Sequence, residues 1–249
     1  MPFEIGPLAA ALVFSAIFLF GSNVLLPESL RRHRRKVLSF GAGVTIAYVF
    51  VHLLPELEAA REVLGHNEAR MALPFFALRV YLATLIGFMF FYALGQMIAR
   101  AGHHGGSEAV HGEDNRLRRS LHTGAFLIYV WLVGYLGVRS LEEGSAPITL
   151  FAVALGLHFL SLDYTLSREY GTWYKRSARY AFAVAPLAGW AAGMLVEFSP
   201  FFTAALLGFM SGGIILNAIA SELPKEQESR ILSFLFGGAF YTVLLIVLS

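Results

Sequence analysis

His52 and Glu56 stand four residues apart in the apolar run "FVHLLPELEA" at 50–59. An imidazole and a carboxylate at that spacing share one helix face and can hold a cation between them. A second set lies in "FAVALGLHFLSLDYTL", which carries His158, Ser161 and Asp163. His158 and Ser161 share a face; Asp163 lies about 140° further round a regular helix. His158 and Asp163 therefore converge only if the helix is irregular or another helix brings ligands between them. A third set, in "GFMSGGIILNAIASELPKE", holds Ser211, Asn217, Ser221 and Glu222. Hard or borderline divalent cations suit such mixtures, and water, proton and organic-ion paths use the same residue types. Structural roles compete: His158 as a neutral histidine bonded across a bundle, Asp163 paired with Arg168, and the outermost carboxylates as interfacial caps.

The solvent around these residues decides what they cost. The chain is 57% hydrophobic and only 14% charged, with a mean hydropathy of +0.62, where a soluble domain carries about 25% charged residues. Apolar segments of roughly the ~20 residues a membrane crossing needs fall near 7–27, 37–56, 74–99, 121–138, 147–167, 178–197, 199–223 and 229–248. The chain reads as one polytopic membrane domain over 1–249: helices 1–3 at 7–99, a histidine-bearing cytoplasmic loop at 100–119, helices 4–5 at 121–167 and helices 6–8 at 178–248. Glu4 precedes the first segment and the basic run follows it, so that segment does not read as a cleavable signal peptide. There is no cysteine, which excludes disulfides and thiolate metal sites, and a net charge of +2 is no nucleic-acid signature.

The basic residues alternate with the segments. Of 19 Lys and Arg, 15 fall in the gaps after segments 1, 3, 5 and 7, leaving Arg61, Arg70, Arg79 and Arg139 for the other side. Cytoplasmic loops are the basic ones, so eight spans with both termini on the non-cytoplasmic side are expected, in a bacterial inner membrane or a plasma membrane. The run "RRHRRK" fits a topology determinant in contact with anionic lipid.

Residues 40–58 and 209–227 also align on each other. At an offset of 169, Phe40, Gly43, Leu54 and Pro55 fall on Phe209, Gly212, Leu223 and Pro224. Segments 2 and 7 run in opposite directions across the membrane, so segments 1–3 and 6–8 form inverted copies flanking 4 and 5. Such repeats recur in transporters with a site near the midplane. His52 and Glu56 then mark one mouth, and Ser221, Glu222 and Glu226 the other. Pro55 and Pro224 each free the carbonyl four residues back, which in lipid must find a partner. The fourth segment, "TGAFLIYVWLVGYLGV", has no carboxylate or histidine at membrane depth, and His122 at its start reads as solvated. The loop before it carries His103, His104, His111, Glu113 and Asp114, either a weak metal-capturing tract or a solvated linker.

The layout, with "GAGVTIAYVFVHLLPE", the histidine-bearing loop and "GFMSGGIILNAIASELPKE", resembles the ZIP (Zrt/Irt-like) family of divalent-metal transporters. The resemblance implies an all-α, eight-helix, 3+2+3 inverted-repeat bundle passing Zn²⁺ or Fe²⁺-like ions between helices 4 and 5. The family's motifs there are degenerate. Of the His-Glu-x-x-His-type motif only His158 matches; Phe159 and Leu162 replace the glutamate and second histidine, and Asp163 stands for an acidic residue that often follows. Helix 4 lacks the Asn and Asp of its own motif.

Two functions follow. One is a ZIP-like carrier of a divalent cation through a reduced site, with His158, Asp163 and Asn217 as ligands and His52, Glu56 and Glu222 as gating groups; the cation is cargo, and no resident cofactor is expected. The other is a ZIP-fold protein that has lost metal transport and serves a regulatory, interaction or lipid-handling role. The partners are the lipid bilayer, a divalent cation and a second copy in a homodimer. No nucleophile–base spacing and no HExxH motif marks an enzyme.

Overall fold

Alanine, leucine and phenylalanine dominate the apolar runs, and in lipid a backbone must satisfy its own hydrogen bonds, so these runs become helices. The computed structural model describes residues 5–21, 33–67, 78–101, 111–139, 148–219 and 231–248. Among them the elements are α1 (Ile5–Phe20), α2 (Arg34–Tyr48, continued through a π turn Val49–Leu53 into Leu54–Asn67), α3 (Arg79–Ala101), α4 (His111–Arg139), α5 (Ile148–Trp173), a π turn Tyr174–Ala178, α6 (Arg179–Leu195), α7 (Pro200–Asn217) and α8 (Ile231–Leu248). No strand occurs among the described residues.

Among the described residues six stretches are long and apolar enough to cross a membrane: Lys36–Glu62, Arg79–Met97, Arg119–Arg139, Ile148–Leu195, Pro200–Asn217 and Ile231–Leu248; Ile5–Phe20 is apolar but shorter. This is an all-α protein of the multi-pass membrane type. The loop expected at 100–119 is shorter than that, because α4 is helical from His111; residues 102–110, with His103 and His104, lie outside the described residues.

Ile148–Leu195 is helical on both sides of a break and reverses direction there. Phe18 on α1 lies 5.3 Å from the Phe159 ring and 5.2 Å from the Phe182 ring. A straight helix would hold those two rings about 35 Å apart. The break is at Gly171, with φ 54° and ψ −127°, a conformation that glycine adopts without the strain a Cβ would bring. α5 and α6 are thus the two legs expected at 147–167 and 178–197, with α5 running on to Trp173.

Close helix crossings set the rest. A Cβ at Gly43 of α2 would meet the Phe234 carbonyl oxygen of α8 at 2.1 Å, and one at Gly237 the Phe40 oxygen at 2.2 Å. A Cβ at Gly212 of α7 would meet the Thr84 oxygen of α3 at 2.0 Å, and one at Gly87 the Phe209 oxygen at 2.0 Å. α4 and α6 cross in the same way at Gly134 and Gly189. Helices in lipid gain little from apolar exclusion, and such backbone contacts supply the packing instead. α3 and α8 are peripheral: Leu85, Ile86 and Met89 of α3 and Leu235, Phe236 and Val243 of α8 are exposed, as hydrocarbon-facing side chains would be.

In α2 the N–H of Leu54 reaches back five residues to the Val49 oxygen. This widened turn places Pro55 in the first turn of the following α segment, where its missing N–H does not end the helix.

Candidate functional site

The centre of the bundle is aromatic. Phe14 and Phe159 sit 5.0 Å apart edge to face, and Phe91 of α3 packs on Phe126 and Tyr129 of α4 at 5.6 and 5.8 Å. His158 lies within this collar, fully buried. Its Nε2 is 3.0 Å from the Tyr129 hydroxyl, which makes the bond a link between α5 and α4. A buried tyrosine hydroxyl needs such a partner, and the same nitrogen is the one a metal would compete for. Of the two roles open to His158, this contact corresponds to the histidine bonded across the bundle. The fourth segment's polar contribution at depth is therefore a phenol. It is legible only as a hydroxyl in an apolar run that must be satisfied somewhere.

Tyr129→Phe is expected to lower stability by about 1 kcal/mol, within the ~0.6–1.7 kcal/mol range of interhelical bonds in membranes. Thermal unfolding in detergent is the check; an unchanged midpoint would mean that the bond does not hold α4 to α5.

Asp163 is also buried, five residues further along α5. It does not pair with Arg168, which is exposed. Its Oδ1 accepts a hydrogen bond from the Tyr174 hydroxyl at 2.9 Å and lies 3.9 Å from Arg179 Nη2. Both partners come from the far side of the Gly171 reversal, which brings them back onto α5. Gly21, at φ 69° just after α1, closes over the pair: a Cβ there would stand 2.5 Å from Arg179 Nη2. The carboxylate is thus neutralised by the protein, and the guanidinium beside it repels a cation.

His52 and Glu56 do share a face, Nε2 to Oε2 being 3.8 Å, and both are largely buried. His52 stands at the π turn with its ring 5.3 Å from that of Tyr48. Its Nε2 is buried with no hydrogen-bond partner. A borderline cation sits about 2.0–2.2 Å from each such ligand atom, which a 3.8 Å separation accommodates. Just beyond, Glu58 takes both the Arg61 guanidinium and the Tyr81 hydroxyl.

Asn217 is half-buried in the last turn of α7; Ser221, Glu222 and Glu226 lie outside the described residues. His122 departs from expectation: it is buried, with Nδ1 2.5 Å from the Tyr170 hydroxyl of α5. The sequence-predicted site residues thus fall into separate polar sets rather than one: His158 with Tyr129, Asp163 with Tyr174 and Arg179, and His52 with Glu56. Among the described residues no group of three or more histidine, aspartate or glutamate side chains is placed to hold a metal ion. No family model matches the chain, and comparison with curated proteins and with solved structures finds no similar protein.

Proposed function

We propose that the chain is a membrane carrier of ZIP-like, eight-span, inverted-repeat design, with a reduced cation site and a divalent cation as cargo. The observation that carries this reading is the recurrence of helix contacts at fixed offsets. Gly43 and Phe40 on α2 touch Phe234 and Gly237 on α8; Gly212 and Phe209 on α7 touch Thr84 and Gly87 on α3. The α7 members lie 169 residues after their α2 counterparts, and the α8 members 150 after those on α3. The π turn of α2 begins at Val49, and the chain enters π geometry again at Ala218, also 169 residues on. Two halves built alike and inserted in opposite senses can exchange conformations, opening a site to each side in turn.

Within that frame His52 and Glu56 are the cation-facing pair, because the Nε2 of His52 is uncommitted while His158 and Asp163 already have protein partners. A second reading, that metal transport is lost and the fold serves a regulatory, interaction or lipid-handling role, draws its support from those same committed partners and from the Arg179 charge beside Asp163.

Proteoliposomes loaded with a metal-sensing dye separate the two. The carrier reading expects uptake of Zn²⁺, Fe²⁺ or Mn²⁺ above empty vesicles, falling about tenfold or more in His52→Ala and Glu56→Ala, as when a metal loses a supporting group. No uptake of any of the three ions would leave the second reading standing.

A further inference from the structure

The corner where α4 begins and α5 turns into α6 is built unlike the rest of the surface. The Arg119 guanidinium carbon lies over the Trp173 ring, 4.2 Å from its centroid. Its Nε is buried and has no hydrogen-bond partner. Stacking occupies the face of a guanidinium and leaves its N–H groups free to bond in the guanidinium plane, the geometry that suits phosphate oxygens. The His122–Tyr170 bond holds α4 against α5 here, so the stacked pair is a fixed feature.

Two residues past Trp173, the π turn Tyr174–Ala178 sets Lys175, Arg176 and Ser177 on the surface side by side. Arg116 and Arg168 are also exposed on the facing ends of α4 and α5; Glu169 is the one exposed acid among residues 116–122 and 168–180. Among the described side chains the corner is therefore mainly cationic; those of Glu113 and Asp114, earlier in α4, lie outside the description. It adjoins apolar surface: Tyr180 and Val184, four residues apart on α6, are 57% and 61% exposed. Tyrosine and tryptophan at such a level mark the membrane–water interface.

We propose that this corner binds the headgroup of an anionic phospholipid. Arg119 and Lys175 or Arg176 take the phosphate oxygens, and an acyl chain lies along Tyr180 and Val184. A soluble anion would satisfy the charges but not the exposed apolar stripe beside them. A zwitterionic lipid would fill the stripe but offset the charge with its own ammonium. An anionic lipid meets both demands. The site is independent of the carrier reading and stands or falls apart from it.

The experiment uses the full chain with Trp131→Phe and Trp190→Phe, which leaves Trp173 as the only tryptophan of three. Reconstituted in mixed bilayers, its fluorescence is quenched by brominated phosphatidylglycerol or brominated phosphatidylcholine. A basic residue at a membrane surface is worth about fivefold in binding anionic lipid, so two or three give a preference of roughly 20-fold or more for phosphatidylglycerol. Lys175→Gln with Arg176→Gln, both on exposed side chains, should reduce that preference to a few-fold without disturbing the stacked pair. Arg119→Gln should weaken it further, and Arg61→Gln, on α2, should leave it intact. Equal quenching by the two lipids would overturn the proposal. So would a preference indifferent to Lys175 and Arg176, or relief of quenching by excess inorganic phosphate alone, which would mark a free-anion site.

Discussion

Asp163→Ala should destabilise the folded protein by about 3 kcal/mol or more. Removing one member of a buried ion pair typically costs ~3–5 kcal/mol, because the survivor keeps its desolvation penalty and loses its compensation. Here two survivors are stranded. Arg179 would face a buried void, and the Tyr174 hydroxyl, which donates to Asp163 Oδ1 at 2.9 Å, would lose its acceptor. The Arg179 side chain keeps 17% of its surface exposed and stands 3.9 Å away, which places the expectation at the lower end of that range. Asp163→Asn keeps an acceptor for Tyr174 and removes only the charge, so it should cost about half as much. Arg179→Gln together with Asp163→Asn should cost less than the two single changes summed, since neither leaves the other's charge alone; coupled pairs show ~0.5–3 kcal/mol of such non-additivity. Unfolding midpoints in a fixed detergent, taken for the single variants and the double, measure all of these. An Asp163→Ala protein within 0.5 kcal/mol (roughly the scale of ordinary surface substitutions) would remove this cluster from the fold's supports.

How much of this was legible in the sequence depends on which interactions are local. The apolar segments are local, so helices could be placed from composition alone, and α5 and α6 were separable although only one residue between them, Gly171, leaves helical geometry in α5. The glycine in "REYGTW" carries no local mark of a break; the reversal there is evident only from Phe159 and Phe182 both packing on Phe18, a contact across the bundle. The polar residues were legible as a set, because charge at membrane depth is costly. Their partners were not. Asp163 had Arg168 nearby in sequence, but five residues carry that arginine along α5 to an exposed position. The reversal at Gly171 brings Arg179 back instead. Tyr129 was passed over because tyrosine reads as apolar in a hydropathy pattern, and only its neighbour across α4 and α5 gives the hydroxyl a task. The same reasoning covers His122, whose place at a segment start suggested water while Tyr170 lay waiting on another helix.

The glycine crossings give the other large effect, and they test the repeat directly. Gly43→Ala would put a methyl 2.1 Å from the Phe234 oxygen and 2.8 Å from the Gly238 nitrogen; Gly212→Ala would put one 2.0 Å from the Thr84 oxygen and 2.5 Å from the Phe88 nitrogen. In both cases the obstacle is helix backbone, which cannot rotate aside as a side chain can, so α8 or α3 must move out along its whole length. Overpacking of this kind costs about 1–3 kcal/mol, and backbone obstacles place both variants at the top of that span. Gly95→Ala on α3 is the control: nothing lies within 4 Å of the added methyl, and alanine is the better helix former by about 1 kcal/mol. That variant should be neutral or slightly more stable. If α2 with α8 and α7 with α3 are copies of one crossing, Gly43→Ala and Gly212→Ala should lose similar stability, and the double variant should approach their sum because the crossings are separate. On the proposed carrier reading, uptake should fall in both, since that reading requires each crossing to repack as the site changes sides. A protein that tolerates one methyl and not the other would have two unrelated crossings, and two such crossings would give no basis for a site that opens to each side in turn.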